Sequence, residues 1–137
     1  MQFRHITEDY AAGGQPSIEE LRQLPGLGFK SLMINRPDGE TLGQPAHGDE
    51  LAVATELGLE VSVVPLVPGH LTPELIDEFK AEYDRLPKPI FAHCKAGPRS
   101  AMLWALGQKG QMPADDIVKR AAEAGFDVSM LRPLLGE

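Results

Sequence analysis

Two spacings of apolar residues alternate along the chain, and each change of spacing marks a new element. FRHI (3–6) and YAAGG (10–14) predict short strands or a hairpin. In SIEELRQL (17–24), Ile18, Leu21 and Leu24 form an inward stripe. Ser17, with Glu20 three residues on, is the pair that closes a helix N-terminus. PGLGF (25–29) stops that helix, KSLMIN (30–35) reads as a buried strand, and RPDGE (36–40) carries Pro-Asp-Gly turn chemistry. GDELAVATELG (48–58) predicts a helix capped by Asp49 and ended by Gly58, and LEVSVVPL (59–66) is a β-branched, apolar strand. Thr72 as cap and Pro73 at the first helical position start a further helix, with Leu75, Ile76, Phe79 and Tyr83 on one face. KPIFAHC (88–94) predicts the next strand. RSAMLWALGQKG (99–110), PADDIVKRAAEAG (113–125) and VSMLRPLLG (128–136) predict three closing helices.

Strands alternating with helices imply an α/β fold: a mostly parallel central sheet with helices on both faces. No internal repeat, low-complexity tract or long linker divides the 137 residues, so a single domain over 1–137 is expected.

Composition narrows the function. Hydrophobic residues make up 42% and charged residues 24%, with a net charge of −7. An acidic chain is a poor partner for nucleic acid, whose binding needs a basic surface. A small anion remains an allowed ligand, because one site can be positive inside an acidic protein. No apolar run approaches the roughly 18 residues that span a bilayer. The N-terminal segment lacks the basic and apolar regions of a signal peptide, and a single cysteine cannot form an internal disulfide. The expected setting is the cytoplasm, with no membrane or nucleic-acid partner.

The candidate chemistry sits in AHCKAGPRSA (92–101). Ligands of such sheets bind where strands end and helices begin. Cys94 falls at that point, Gly97 permits a tight turn, and the next helix aims its N-terminal amides and dipole back at the thiol. That field favours the thiolate, and Arg99 adds a two-pronged grip for an oxyanion. A free cysteine is more often an inert buried residue. The sequence His-Cys-x-x-Gly-x-Arg-Ser between strand and helix favours a reactive one.

The loop resembles those of cysteine-dependent phosphatases and rhodaneses. More closely, the chain resembles a bacterial family of phosphatase-like domains, some fused to β-lactamase-like hydrolases, within the protein tyrosine and dual-specificity phosphatase-like superfamily. GGQPS (13–17), INRPDGE (34–40), VVPLVPGHLTPE (63–74) and FAHCKAGPRSAMLWAL (91–106) carry the resemblance. It implies a cysteine-phosphatase-like fold, with Cys94 as nucleophile and Arg99 as oxyanion clamp. The backbone of Lys95, Ala96, Gly97 and Arg99 would form the cradle. Ser100 would assist the thiolate and its departure, and His93 would order the loop.

Two departures keep other chemistry open. Tyrosine phosphatases place five residues between cysteine and arginine; here there are four, a rhodanese-like length. Pro98 lacks an N–H, which removes one donor from the cradle and suits the first turn of a helix. A phosphatase also needs an acid for the leaving oxygen. The VPGHLTPE loop offers His70 and Glu74 but no aspartate, so Asp38 is the expected acid, with Arg36 and Glu40 either lining the same mouth or pairing on the surface. His70 is a secondary candidate for the substrate site. His5 and His47 lack metal-ligand spacing, and no metal or cofactor is expected. The preferred expectation is a hydrolase of phosphate monoesters, phosphoproteins among them, working through cysteinyl-phosphate. The alternatives are a sulfurtransferase carrying a persulfide on Cys94 and a non-catalytic module binding an oxyanion or phosphoprotein.

Overall fold

The computed structural model describes residues 1–136. Five strands form one sheet in the order β1-β2-β5-β3-β4: β1 (Phe3–Thr7), β2 (Tyr10–Gly13), β3 (Ser31–Ile34), β4 (Glu60–Val63) and β5 (Ile90–His93). β1 pairs antiparallel with β2, making the expected hairpin, and every other pairing is parallel.

Strand alternation sorts the core into two layers. Tyr10, Ala12, Met33, Ile90 and Ala92 face α3 (Pro73–Arg85), α4 (Pro98–Gly107) and α5 (Ala114–Glu123), where Phe79, Leu103, Trp104 and Ile117 complete the packing. Ala11, Leu32, Ile34 and Phe91 face α1 (Ile18–Leu21) and α2 (His47–Glu56) with Leu21, Val53 and Ala54. Helices therefore cover both faces, as the pattern predicts. By the same alternation, His93 shares the face of Phe91 and points towards α2. Asn35, two residues beyond Met33, turns towards α4.

Several boundaries differ from expectation. The Ser17–Glu20 capping box forms, but α1 lasts four residues before a 3-10 turn at Pro25–Leu27, because Pro25 brings no N–H to continue the ladder. The segment read as a last helix is a 3-10 stretch, Ser129–Leu134, with Pro133 inside it. α2 begins earlier than predicted, with Ala46 rather than Asp49 at the cap position. Alanine has no side chain to cap with, and the Asp38 carboxylate takes over by accepting from the His47 amide at 2.8 Å. No helix among the described residues is long and apolar enough to cross a membrane.

Candidate active site

The carboxyl ends of β2, β5 and β3 lie side by side, and β5 delivers Cys94 between its two neighbours. Pairing continues past the strands: the Cys94 amide donates to Gly13 O at 3.2 Å, the Asn35 amide to His93 O at 2.8 Å, and the Gln15 amide to Lys95 O at 3.1 Å. Gly97, at φ +117°, then turns the chain into α4, and Pro98 takes its first position. A Cβ on Gly97 would lie 2.8 Å from the Phe126 ring, so both conformation and space require glycine.

The turn folds the Gly97 amide onto the sulfur, where it donates to Cys94 Sγ at 3.0 Å. Cys94 is 1% exposed, while Lys95 and Ala96 are open to solvent. Among the described residues, the amides of Lys95, Ala96 and Arg99 have no backbone acceptor. Unpaired amides beside a thiol at a helix N-terminus make a receptor for an anion.

Arg99 supplies the side-chain half of this receptor. Its Nη1 donates to Glu40 Oε2 at 2.7 Å and to Leu66 O at 2.9 Å, and its Nη2 donates to Glu40 Oε1 at 2.8 Å. These bonds use three of five guanidinium hydrogens and leave Nε–H and one Nη2–H, the side edge of the fork. The hydrogen bond from Arg99, helped by Arg36 and opposed by burial, lowers the Glu40 carboxyl from 4.5 to about 2. Arg99 moves above its ordinary value, chiefly through Glu40, with the nearby Cys94 adding to the effect.

Arg36, expected at the substrate mouth, is 4% exposed and its nitrogens are engaged in the frame. Its Nε donates to Glu40 Oε1 at 3.0 Å, Nη1 to Gln15 Oε1 at 3.2 Å and Nη2 to Thr41 Oγ1 at 3.1 Å. Beneath the loop, His93 and Glu50 are fully buried and joined Nε2 to Oε1 at 2.7 Å. Burial at this depth is tolerable because carboxylate and ring satisfy each other. Ser100 Oγ donates to Asn35 Oδ1 at 2.8 Å, so its hydroxyl is turned to β3. Tyr10 donates to the Ser100 carbonyl at 2.8 Å, and its phenol is raised well above its ordinary value by burial and then by Cys94.

Residues 2–111 match the family described as the phosphatase-like domain of β-lactamase hydrolase-like proteins. The chain belongs to that family. The β-lactamase hydrolase-like protein of Agrobacterium fabrum is 34% identical over 130 residues, which is 93% of this chain and 30% of that relative. The chain thus spans less than a third of the curated relative. A solved "putative phosphatase" from Neisseria meningitidis Z2491 is 25% identical, with a TM-score of 0.85 over 99% of this chain and 97% of its own. The solved structure of PTPMT1 shares the fold at 18% identity and a TM-score of 0.73, over 97% of this chain and 91% of its own. Membership and the likeness to the Neisseria structure support a phosphatase-type hydrolase; the likeness to PTPMT1 shows the fold.

Within this family member, Cys94, Lys95, Ala96, Gly97, Pro98 and Arg99 form one loop with His93 and Ser100 braced below it. Asp38 and His70 are not drawn into that loop's hydrogen bonds. The Asp38 carboxylate is spent on the start of α2, and His70 is exposed in a turn where its amide donates to Val67 O at 2.9 Å. Three functional candidates escaped the sequence. In the sequence each has a sufficient local explanation: Glu40 at the mouth or in a surface pair, Glu50 as one residue of the segment 48–58 that predicts a helix, and Gln15 as one residue of GGQPS. Alternation in IFAH and the placement of Glu50 in the first turn of α2 are the signals that would have joined His93 to Glu50.

Proposed function

We propose that this domain hydrolyses phosphate monoesters through a cysteinyl-phosphate intermediate. The Cys94 thiolate attacks phosphorus, forming the S–P bond as the P–O bond to the leaving group breaks, and the departing oxygen takes its proton from solvent water to leave as alcohol or phenol. Water then attacks phosphorus, the P–S bond breaks, and inorganic phosphate leaves with the thiolate restored. The free amides of Lys95, Ala96 and Arg99 and the side edge of the Arg99 fork hold the non-reacting oxygens, so positioning and charge supply most of the rate. One observation carries the proposal: the Gly97 amide lies 3.0 Å from Cys94 Sγ inside the same ring that gathers those donors. Glu40 acts on Arg99, holding its terminal edge so that the side edge faces the ring. With its carboxyl at about 2, Glu40 is ionised at neutral pH and is no proton donor in this arrangement.

The test is turnover of para-nitrophenyl phosphate with competitive inhibition by tungstate, an oxyanion that does not react. Both are expected. A wild-type protein that turns over no aryl phosphate and is indifferent to tungstate overturns the proposal.

A further inference from the structure

A fully buried carboxylate lies under the loop, and nothing in the proposed reaction consumes it. Glu50 reaches up from the first turn of α2 with its two oxygens directed to different residues. Oε1 meets His93 Nε2 at 2.7 Å, and Oε2 accepts from Gln15 Nε2 at 3.4 Å. Each of those residues in turn holds one carbonyl of the loop. The other ring nitrogen of His93, Nδ1, lies 3.3 Å from the Cys94 carbonyl, and the backbone N–H of Gln15, whose side chain Glu50 holds, donates to the Lys95 carbonyl at 3.1 Å.

Peptide stereochemistry gives these contacts their consequence. In a trans peptide the C=O and the following N–H point in opposite directions, and the loop contains no cis bond. Pinning the Cys94 carbonyl down onto His93 therefore turns the Lys95 N–H up towards the mouth. Pinning the Lys95 carbonyl onto Gln15 does the same for the Ala96 N–H. Both are among the three loop amides left without a backbone acceptor. Gly14 allows the second contact, because a Cβ there would come to 3.2 Å from the Lys95 carbonyl.

We propose that Glu50 is a positioning residue for the anion cradle: one buried carboxylate orients His93 and Gln15, which lock two successive loop carbonyls inward and so present the Lys95 and Ala96 amides to an oxyanion. The role requires a proton on His93 Nδ1 facing the Cys94 carbonyl and a second on Nε2 facing the Glu50 carboxylate, since two acceptors cannot face each other across either contact. Around the ring stand Glu50 from α2 and Phe91 from its own strand, and Glu50 is linked in turn through Gln15 to Arg36. The role rests on the phosphatase reading for its purpose, yet the geometry is testable without any substrate.

Two variants and one spectrum decide it. Glu50→Gln keeps a partner for Nε2 and leaves Nδ1 free to donate. Glu50→Met removes both contacts while filling the space, and apolar replacement of a buried ionic group is commonly tolerated in stability. Calorimetry with tungstate is expected to show Glu50→Met weakened by about tenfold or more, with Glu50→Gln close to wild type. Nitrogen-15 NMR of the wild-type His93 ring is expected to show a proton on Nδ1. Unchanged tungstate affinity in Glu50→Met, equal loss in both variants, or an unprotonated Nδ1 overturns the inference. Should Glu50→Met fail to fold, Glu50→Gln and the ring spectrum still decide. A wild type that ignores tungstate would sink the phosphatase reading, whereas the Nδ1 proton would still judge this one.

Discussion

Glu40, in the loop after β3, and Arg99, in the first turn of α4, meet in a two-pronged ion pair with both contacts at 2.7–2.8 Å. A bidentate carboxylate–guanidinium pair fixes the plane of the fork as well as its position. The remaining donors of Arg99 are thereby aimed rather than merely present. Glu40→Gln has one carbonyl oxygen where two were needed. It is expected to lower kcat/KM for para-nitrophenyl phosphate by about tenfold while leaving the fold intact by circular dichroism. Unchanged kcat/KM would mean that Arg99 needs no external brace.

The same pair makes stability depend on pH in the acid range. The Glu40 carboxyl titrates at about 2 when folded, against 4.5 as its ordinary value. A lowered folded value means that the unfolded chain takes up the proton first. The contribution is complete above pH 4.5, shrinks as pH falls, and is gone below about 2. Urea midpoints of wild type and Glu40→Gln, measured down the pH scale, should converge through that window. Parallel curves would show that the pair contributes nothing to folding.

Cys94→Ser removes the nucleophile but keeps the ring of amides. Turnover is expected to fall by at least about a thousandfold, with tungstate binding retained. Incubating the wild type with thiosulfate should leave the mass of Cys94 unchanged. A gain of one sulfur atom would favour the persulfide chemistry that the six-residue loop also suits.

Asp38→Ala tests a residue whose sequence context suggested an acid and whose contacts show a cap. Losing the bond to the His47 amide is expected to cost about 1 kcal/mol of stability, with turnover of an alkyl phosphate preserved. An alkyl leaving group needs protonation, so collapse of that activity alone would restore Asp38 as the acid.

Gly97→Ala should fail on both counts at once, since φ +117° disfavours a side chain and Phe126 fills its space. Loss of tungstate binding with a lowered melting temperature is the expected result. A variant that binds normally would mean that the loop can be rebuilt around a Cβ.

Much of the fold was legible because it is local. Strand alternation, the Ser17–Glu20 box and the Thr72-Pro73 helix start depend on neighbours within one turn or one pleat, and each stands where the pattern put it. Proline is where the pattern overreaches: Pro133 lies inside a segment that reads as α-helix and folds as a 3-10 stretch, and the helix before Pro25 ends at Leu21 rather than Leu24. The loop from Cys94 to Arg99 was equally readable, since strand end, glycine, arginine and helix lie within eight residues.

The braces around that loop were not readable, because each partner is distant in sequence. Glu40 is 59 residues from Arg99, Glu50 is 43 from His93, and Asn35 is 65 from Ser100. A carboxylate in a turn or a first helical turn has a sufficient local explanation, so sequence gives no reason to look for a second. By itself the sequence determined that a thiol and an arginine would share the end of a central strand. Only the parallel order β2-β5-β3, which sets three strand ends side by side, decided which carboxylate holds the arginine, which lies buried beneath the cysteine, and which merely caps a helix.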